Sequence, residues 1–337
     1  MTNFELGPIR PPDEADSLLI RTTRGCPWNR CAFCTLYKGQ KFSIRSVEDI
    51  KKDILAAQKY YGGRPVEKCF LQDGDSFSMK TADLVEVLHA LKEAFPSLKQ
   101  ISSYGRGQTM NKKSAAEIQE IADAGLNMLY CGMESGSDEV LKKMRKGTTA
   151  ESILNSTRNA QDAGMKTLLF TILGLGGKEL TAEHAKGTVD LINGINPGGV
   201  RVLTLAVKPG THLDSMEQAG EFTLLSEAEM IEEQQRILER INGIQSRYGN
   251  YHAVNLMPEL QGELPRDKGK MLSVINRFLA LNKEDQLNFI FGRRQRYYGC
   301  LDDLDNADRY RTVQKAMNDF DHGQLEKMFH DQRRNWI

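Results

Sequence analysis

Along the first two thirds of the chain, short apolar runs alternate with stretches in which apolar residues recur every three or four positions. That alternation predicts strands interleaved with helices. Ser17-Leu-Leu-Ile-Arg-Thr22 reads as the first strand. Ser46-Val-Glu-Asp49 has the form of a capping box and opens a helix to Tyr61, where Gly62-Gly63 ends it. A second strand covers residues 66–72, and the stripe Leu84, Val87, Leu88 and Leu91 marks a helix. Residues 98–104 form the third strand, Ser114-Ala-Ala-Glu117 starts another capped helix, and 127–133 is the fourth strand. Helices follow at about 138–144 and 150–163, a fifth strand at 166–173, a helix at about 181–195 and a sixth strand at 200–207. Ile121-Ala-Asp-Ala-Gly125 and Ala160-Gln-Asp-Ala-Gly164 each end a helix on glycine and enter a strand at once. Glycine suits the left-handed conformation that closes a helix.

Six such units within about 200 residues imply a parallel sheet with helices packed on it. Periodicity leaves open whether the sheet is doubly wound or a curved partial barrel. In either case chemistry belongs at the C-terminal ends of the strands. After Pro209-Gly210 the pattern changes. Residues 226–247 predict one long helix with Ile231, Ile237, Leu238 and Ile241 on one face, and 267–281 and 308–319 also read as helices. The expected division is a core over 1–215 and a smaller, mostly helical region over 216–337 serving substrate or partner, joined at 210–220.

Composition narrows the class. With 337 residues, 40% of them hydrophobic, the chain can bury the core of one large domain or one and a half. Basic and acidic residues number 45 each, so charge points to neither nucleic acid nor an anionic membrane. No apolar run approaches the roughly 18–20 residues that span a bilayer. The N-terminus lacks the basic start and apolar core of a signal peptide. Six cysteines are too few for a disulfide scaffold in a chain this long. The expectation is a cytoplasmic protein of a reducing compartment, of open oligomeric state, whose close-set cysteines bind metal.

Those cysteines are Cys26, Cys31 and Cys34, in the run Gly25-Cys-Pro-Trp-Asn-Arg-Cys-Ala-Phe-Cys34 directly after the first strand. Three thiols supply one ligand fewer than a tetrahedral zinc site or a four-iron cluster needs. A zinc site would take a fourth ligand, and His89, His184, His212, His252, His322 and His330 all lie far from the loop in sequence, although folding could deliver one. A cluster held by three cysteines keeps one iron open to a substrate or cofactor.

The spacing Cys-x4-Cys-x2-Cys, with Phe33 before the last cysteine, resembles the cluster motif of the radical S-adenosylmethionine (radical SAM) superfamily. The usual spacing there is Cys-x3-Cys-x2-Cys, so one extra residue separates Cys26 from Cys31. The resemblance implies that the thiolates hold a 4Fe–4S cluster whose fourth iron chelates the amino and carboxylate groups of S-adenosylmethionine. An injected electron would cleave the sulfonium to methionine and a 5′-deoxyadenosyl radical, which abstracts hydrogen from substrate. A ferredoxin- or flavodoxin-type donor is implied, and the substrate is unidentified, more a small molecule than a nucleic acid.

Further strand ends fit this resemblance, which covers residues 15–215 and implies a partial (β/α)6 TIM-like barrel. Gln72-Asp73-Gly74-Asp75 stands where the family binds the methionine amino group, keeping only the central glycine and an acid of a Gly-Gly-Glu-like motif. Ser102, Ser103 and Tyr104 end the third strand, where a polar side chain touches the cofactor, Ser103 being the candidate. The segment Gly132-Met-Glu-Ser-Gly-Ser-Asp-Glu-Val-Leu-Lys-Lys-Met-Arg-Lys-Gly147 looks like one in methylthiotransferases and, more loosely, in oxygen-independent coproporphyrinogen oxidases. By that likeness Glu134 addresses the ribose hydroxyls, and Lys146 or Arg145 the methionine carboxylate. Gly174 and Gly176, after the fifth strand, resemble the glycines whose backbone meets the adenine. Val207, in Leu205-Ala-Val-Lys-Pro-Gly-Thr211, belongs to the stretch that closes the core.

Plainer readings stand beside these. Cys69 and Cys131 read as small buried hydrophobes, and Trp28 as packing or as a shield for iron. Cys300, Tyr297 and Tyr298 are candidates for reactivity or substrate choice. Arg293, Arg294 and Arg296 read as a solvated face, or as a dock for an acidic electron donor or anionic substrate. Gly174–Gly177 lacks the spacing of a dinucleotide fingerprint. The other classes open are a tRNA or protein methylthiotransferase and a non-catalytic zinc or iron–sulfur protein. Against the first, the chain enters its core almost at once, ends in helices and has no net charge.

Overall fold

A computed structural model describes residues 4–335. In chain order the elements are β1 (Leu18–Arg21), β2 (Thr23–Arg24), β3 (Ser43–Ile44), α1 (Val47–Tyr61), β4 (Lys68–Gln72), α2 (Thr81–Ala94), β5 (Gln100–Gly105) and α3 (Gly107–Met110). There follow α4 (Ala115–Ala124), β6 (Leu126–Glu134), α5 (Asp138–Lys143), α6 (Ala150–Asp162), β7 (Lys166–Leu173), α7 (Thr181–Ile195), β8 (Gly199–Thr204) and α8 (His212–Gln218). The remainder is α9 (Glu227–Arg240), β9 (Ser246–Gly249), β10 (Gly262–Leu264), α10 (Lys268–Leu279), α11 (Lys283–Arg294), α12 (Ala307–Met317) and α13 (His322–Asn335).

The strands lie in the order β1-β4-β5-β6-β7-β8-β9-β10 in one sheet, with β2 and β3 forming a separate antiparallel pair. That order follows the sequence without reversing, whereas a doubly wound sheet reverses at a switch point. Right-handed crossovers that always step the same way keep the helices on one face and curl the strands. The architecture is the partial (β/α)6 barrel, extended by two strands.

Two compact units make up the chain: Met1–Met133 with Gly147–Leu169, and Glu134–Lys146 with Phe170–Ile337. In the first, β1 pairs with β4, β4 with β5 and β5 with β6, all parallel. Ser46 caps α1 through the Asp49 N–H, and Gly62 closes it at φ 57°. Ser114 and Glu117 form a complete capping box on α4. Leu18, Ile20, Phe70, Leu71 and Ile101 of the strands are buried, as are Ile50, Ile54, Leu84 and Leu88 of the helices. Each such side chain contributes roughly 1.5–3 kcal/mol.

One acid lies inside this apolar packing. Glu14 is fully buried, its Oε1 accepting from Tyr130 Oη at 2.6 Å and Gln100 Nε2 at 2.9 Å, and its Oε2 from Ser17 Oγ. The carboxylate thereby ties the segment before β1 to β5 and β6.

The second unit departs from the expectation after Ile241. The helix predicted over 226–247 ends at Arg240, and the chain then adds β9 parallel to β8, with β10 antiparallel to β9. Ile241 and Ile244 continue a helical apolar spacing, but Ile241 is extended at ψ 122° and Gly243 has φ 67°. The turn chemistry of Asn242-Gly243 wins over the apolar period. Three helices also escaped the pattern, α11, α13 and the short α8, which lies in the expected connection. Among the described residues no helix is long and apolar enough to cross a membrane.

Replacing Glu14 by alanine removes the acceptor of two buried hydroxyls, on Tyr130 and Ser17, and of the half-buried Gln100 amide. The expected loss is about 3 kcal/mol of unfolding free energy, read from the shift of the urea midpoint, with Glu14→Gln losing less.

Candidate functional site

Cys26, Cys31 and Cys34 lie on the loop 25–42, between β2 and β3. The β2–β3 ladder closes the base of this loop, Thr23 facing Ile44 and Arg24 facing Ser43. A buried ion pair anchors that base: Asp73 Oδ2 accepts from Arg21 Nη2 at 2.6 Å, Arg21 Nε at 3.1 Å and the Gly25 N–H at 3.1 Å. Burial pushes the Asp73 carboxyl up, against the pull of Arg21 and the Gly25 N–H. Glu5 extends the network, accepting from Arg21 at 2.9 Å and from Arg24 at 2.7 and 2.8 Å. Arg45 joins it through Asp53 at 2.6 Å.

Gly74 fits against the first cysteine. Its N–H donates to the Gly25 carbonyl at 3.2 Å, and a Cβ here would stand 2.7 Å from that oxygen and 3.1 Å from Cys26 Cα. Only glycine admits so close a crossing of two backbones. Trp28 of the same loop packs on Gly147, where any Cβ would meet the indole ring.

At the ends of β1, β4 and β5 a chain of buried hydroxyls runs from Thr22 to Ser76 at 2.9 Å and on to Ser103 at 2.9 Å. Beside it, Asp75 accepts from the Phe77 N–H at 3.2 Å and from Thr109 Oγ1. Burial pushes its carboxyl up to about 7, while Thr109 and the Arg106 charge pull it down. Arg106, directly after β5, donates from Nη1 to Cys26 Sγ at 3.6 Å. A cation and donor thus stand against a sulfur that carries negative charge when it ligates iron.

The first unit therefore brings Cys26, Asp73, Gly74, Asp75 and Ser103 to one set of strand ends. Phe33 is half-buried on the loop. None of the six cysteines is joined in a disulfide. Among the described residues no three His, Cys, Asp or Glu side chains are drawn together as a metal site. The donor set itself fits an iron–sulfur group: three reduced thiols on one loop anchored at its base, with a guanidinium beside one of them. Cys69 is buried in β4 as a small hydrophobe, as expected.

The second unit carries the other candidates. Glu134 ends β6 with φ 63°, a strained backbone for a residue with a side chain, and Arg145 has φ 52°. Glu134 Oε1 accepts from Lys146 Nζ at 2.8 Å, so two residues given separate partners by resemblance hold each other. Gly174 has φ 78°, and its N–H donates to Glu233 Oε2 at 2.6 Å. Glu233 Oε1 accepts from Thr181 at 2.7 Å. A Cβ on Gly176 would stand 2.5 Å from the Leu180 carbonyl. These glycines are required by the turn itself. Val207 is fully buried.

Three candidates near the C-terminus are corrected. Tyr298 is buried, stacked on Phe289 at 6.2 Å and donating to Asn288 Oδ1 at 2.6 Å, a core residue rather than a substrate contact. Arg294 is not a solvated face, because it forks onto Glu227 at 2.6 and 2.7 Å. Arg293 bonds the carbonyls of Leu256 and Tyr298 at 2.9 and 2.6 Å. Cys300 starts a short 3-10 turn, its N–H donating to Asp303 at 3.3 Å, and Tyr297 is exposed. Sequence reasoning missed Arg106 and Glu233. Arg106 carried a signal, a charged residue following a strand end, and Glu233 carried another, an acid in register with Met230 and Ile237 on an apolar helix face.

Comparison with known proteins places this geometry. The sequence pattern of the Radical SAM superfamily matches residues 20–192. An uncharacterized methyltransferase of Pyrococcus horikoshii is 26% identical over 197 residues, 58% of this chain and 40% of that protein. The bacteriochlorophyllide d C-8(2)-methyltransferase of Chlorobaculum tepidum is 26% identical over 45% of this chain and 34% of its own length. The chain thus spans less than half the length of these relatives. Among solved structures, the cobalamin-dependent S-adenosylmethionine radical enzyme OxsB superposes with a TM-score of 0.52 at 15% identity, over 95% of this chain and 59% of that one. The likeness is one of fold.

The raised carboxyl of Asp75 sets a pH dependence. Between about pH 4 and 7 the folded chain holds a proton there that an unfolded aspartate has released. The contribution of this group to stability therefore falls as pH rises through that window and is lowest above it. Asp75→Asn removes the dependence, so its melting temperature relative to the parent should rise from pH 5 to pH 8 in calorimetry.

Proposed function

Because the chain belongs to the radical SAM superfamily, we propose that Cys26, Cys31 and Cys34 hold a 4Fe–4S cluster at which S-adenosylmethionine is cleaved to start hydrogen abstraction from a small-molecule substrate. Enzymes of this superfamily use that cluster and S-adenosylmethionine. When bound, the cluster supplies the electron that breaks the sulfonium bond, so no side-chain acid or base need start the reaction. The observation that carries the reading is the arrangement beyond β1: three cysteines outside any disulfide on one anchored loop, with Arg106 against Cys26.

This chain's residues then divide the work. Arg21 and Asp73 hold the base of the loop, so Asp73 acts as a brace rather than a cofactor contact. Gly74 lets the β4 end pass against Cys26. Arg106 offsets negative charge at that sulfur. Trp28 on Gly147 covers one side of the loop. Glu134 and Lys146 are assigned to S-adenosylmethionine, their mutual ion pair opening when the cofactor's polar groups replace it. A ferredoxin or flavodoxin is the proposed electron donor. The relatives named as methyltransferases bring methyl transfer forward as a second outcome of the same cofactor chemistry.

Anaerobic reconstitution with iron and sulfide, followed by dithionite and S-adenosylmethionine, tests this. About four irons and four sulfides per chain are expected, with 5′-deoxyadenosine accumulating. Each of Cys26→Ala, Cys31→Ala and Cys34→Ala should abolish 5′-deoxyadenosine. S-adenosylhomocysteine in its place would favour methyl transfer, and zinc without sulfide would end the radical reading.

A further inference from the structure

Tyr37 lies three residues beyond Cys34 and is 4% exposed. Its hydroxyl finds no hydrogen-bond partner among the described residues. Leaving a buried hydroxyl unpaired is costly, and such a group in a packed fold calls for a partner from outside the chain's own polar atoms or another specific cause.

The backbone around Tyr37 is held firmly. Asn29 Nδ2 donates to the Tyr37 carbonyl at 2.6 Å, and the Gln40 N–H donates to the same oxygen at 3.0 Å. Asn29 itself stands between Cys26 and Cys31, so the clamp fixes Tyr37 to the middle of the cysteine loop. Burial first, then the charges of Asp73, Tyr104, Cys26 and Cys34, push the phenol up. Cys26 and Cys34 thus lie in the electrostatic surroundings of the hydroxyl. The Asp73 carboxylate does not take the bond: its Oδ2 is occupied by Arg21 and Gly25, and its Oδ1 is itself without a partner.

We propose that the Tyr37 hydroxyl, buried beside the cysteine loop without a partner of its own, donates a hydrogen bond to a sulfur of the iron–sulfur centre once that centre is bound, and so raises its reduction potential. This rests on the cluster reading above. Donation to sulfur stabilises the more negative, reduced state. Tyr37 is therefore a positioning and tuning residue, held to the cysteine loop by Asn29.

The test compares the reconstituted holoprotein with Tyr37→Phe, which removes the hydroxyl and keeps the ring, by potentiometric titration read by electron paramagnetic resonance. Reduction of the variant should be disfavoured by roughly three- to tenfold, about 30–60 mV towards more negative potential for a one-electron couple. Iron and sulfide counts are taken on both proteins. A parent without a full cluster overturns the cluster reading itself. A fully loaded parent and Tyr37→Phe at the same potential overturn the hydrogen bond alone. If Tyr37→Phe fails to load, Tyr37→His, which keeps a ring donor, decides: loading by it supports the role, and failure of both assigns Tyr37 to packing and overturns the proposal.

Discussion

The ion pair between Arg21 and Asp73 is the constraint on which the candidate site depends. It joins the end of β1 to the end of β4, and the same carboxylate oxygen caps the Gly25 N–H where the cysteine loop begins. Two ionised groups taken out of water are a poor source of stability unless their geometry is good. Losing one partner of such a pair costs about 3–5 kcal/mol, because the other is left buried and uncompensated. What the pair supplies is position. A long irregular loop must pay its ordering entropy somewhere, and here the anchor at its base, the β2–β3 ladder and the Glu5–Arg24 fork share that cost.

Around this anchor the first unit shows why strand ends are where chemistry gathers. β1, β4 and β5 run parallel and in register, so Thr22, Ser76, Ser103 and Arg106 arrive together although up to 84 positions separate them. The hydroxyl chain keeps the barrel end polar yet satisfied, which a water-excluded site requires. In the second unit the same logic serves structure. Glu233 gathers the Gly174 N–H and the Thr181 hydroxyl, so a glycine turn that looked like a cofactor cradle already has one of its amides bonded from within.

Much of the fold was legible because its signals are local. The N-cap at Ser46, the capping box at Ser114, glycine stops at Gly62, Gly125 and Gly164, and the apolar stripes all act within a few residues. The strand β9 was not legible, because Ile241 and Ile244 mimic the period of α9, and only pairing with β8 makes that segment a strand. The burial of Tyr298 and Arg294 was hidden for the same reason. Their partners Phe289, Asn288 and Glu227 are set by packing among α9 and α11, not by any spacing around Arg293-Arg-Gln-Arg-Tyr-Tyr298.

The sequence by itself pointed to the chemistry: three close-set thiols, one ligand short of a four-iron cluster, after the first strand of an alternating strand–helix chain. Spacing along one loop is a local property, and so it can be read from the residues alone. Tertiary structure decided that the strands follow one another without reversal, that Asp73 braces the base of the cysteine loop, and that Arg106 stands against Cys26. Those outcomes depend on long-range pairing and on which polar groups burial leaves with or without a partner, and no run of neighbouring residues encodes either.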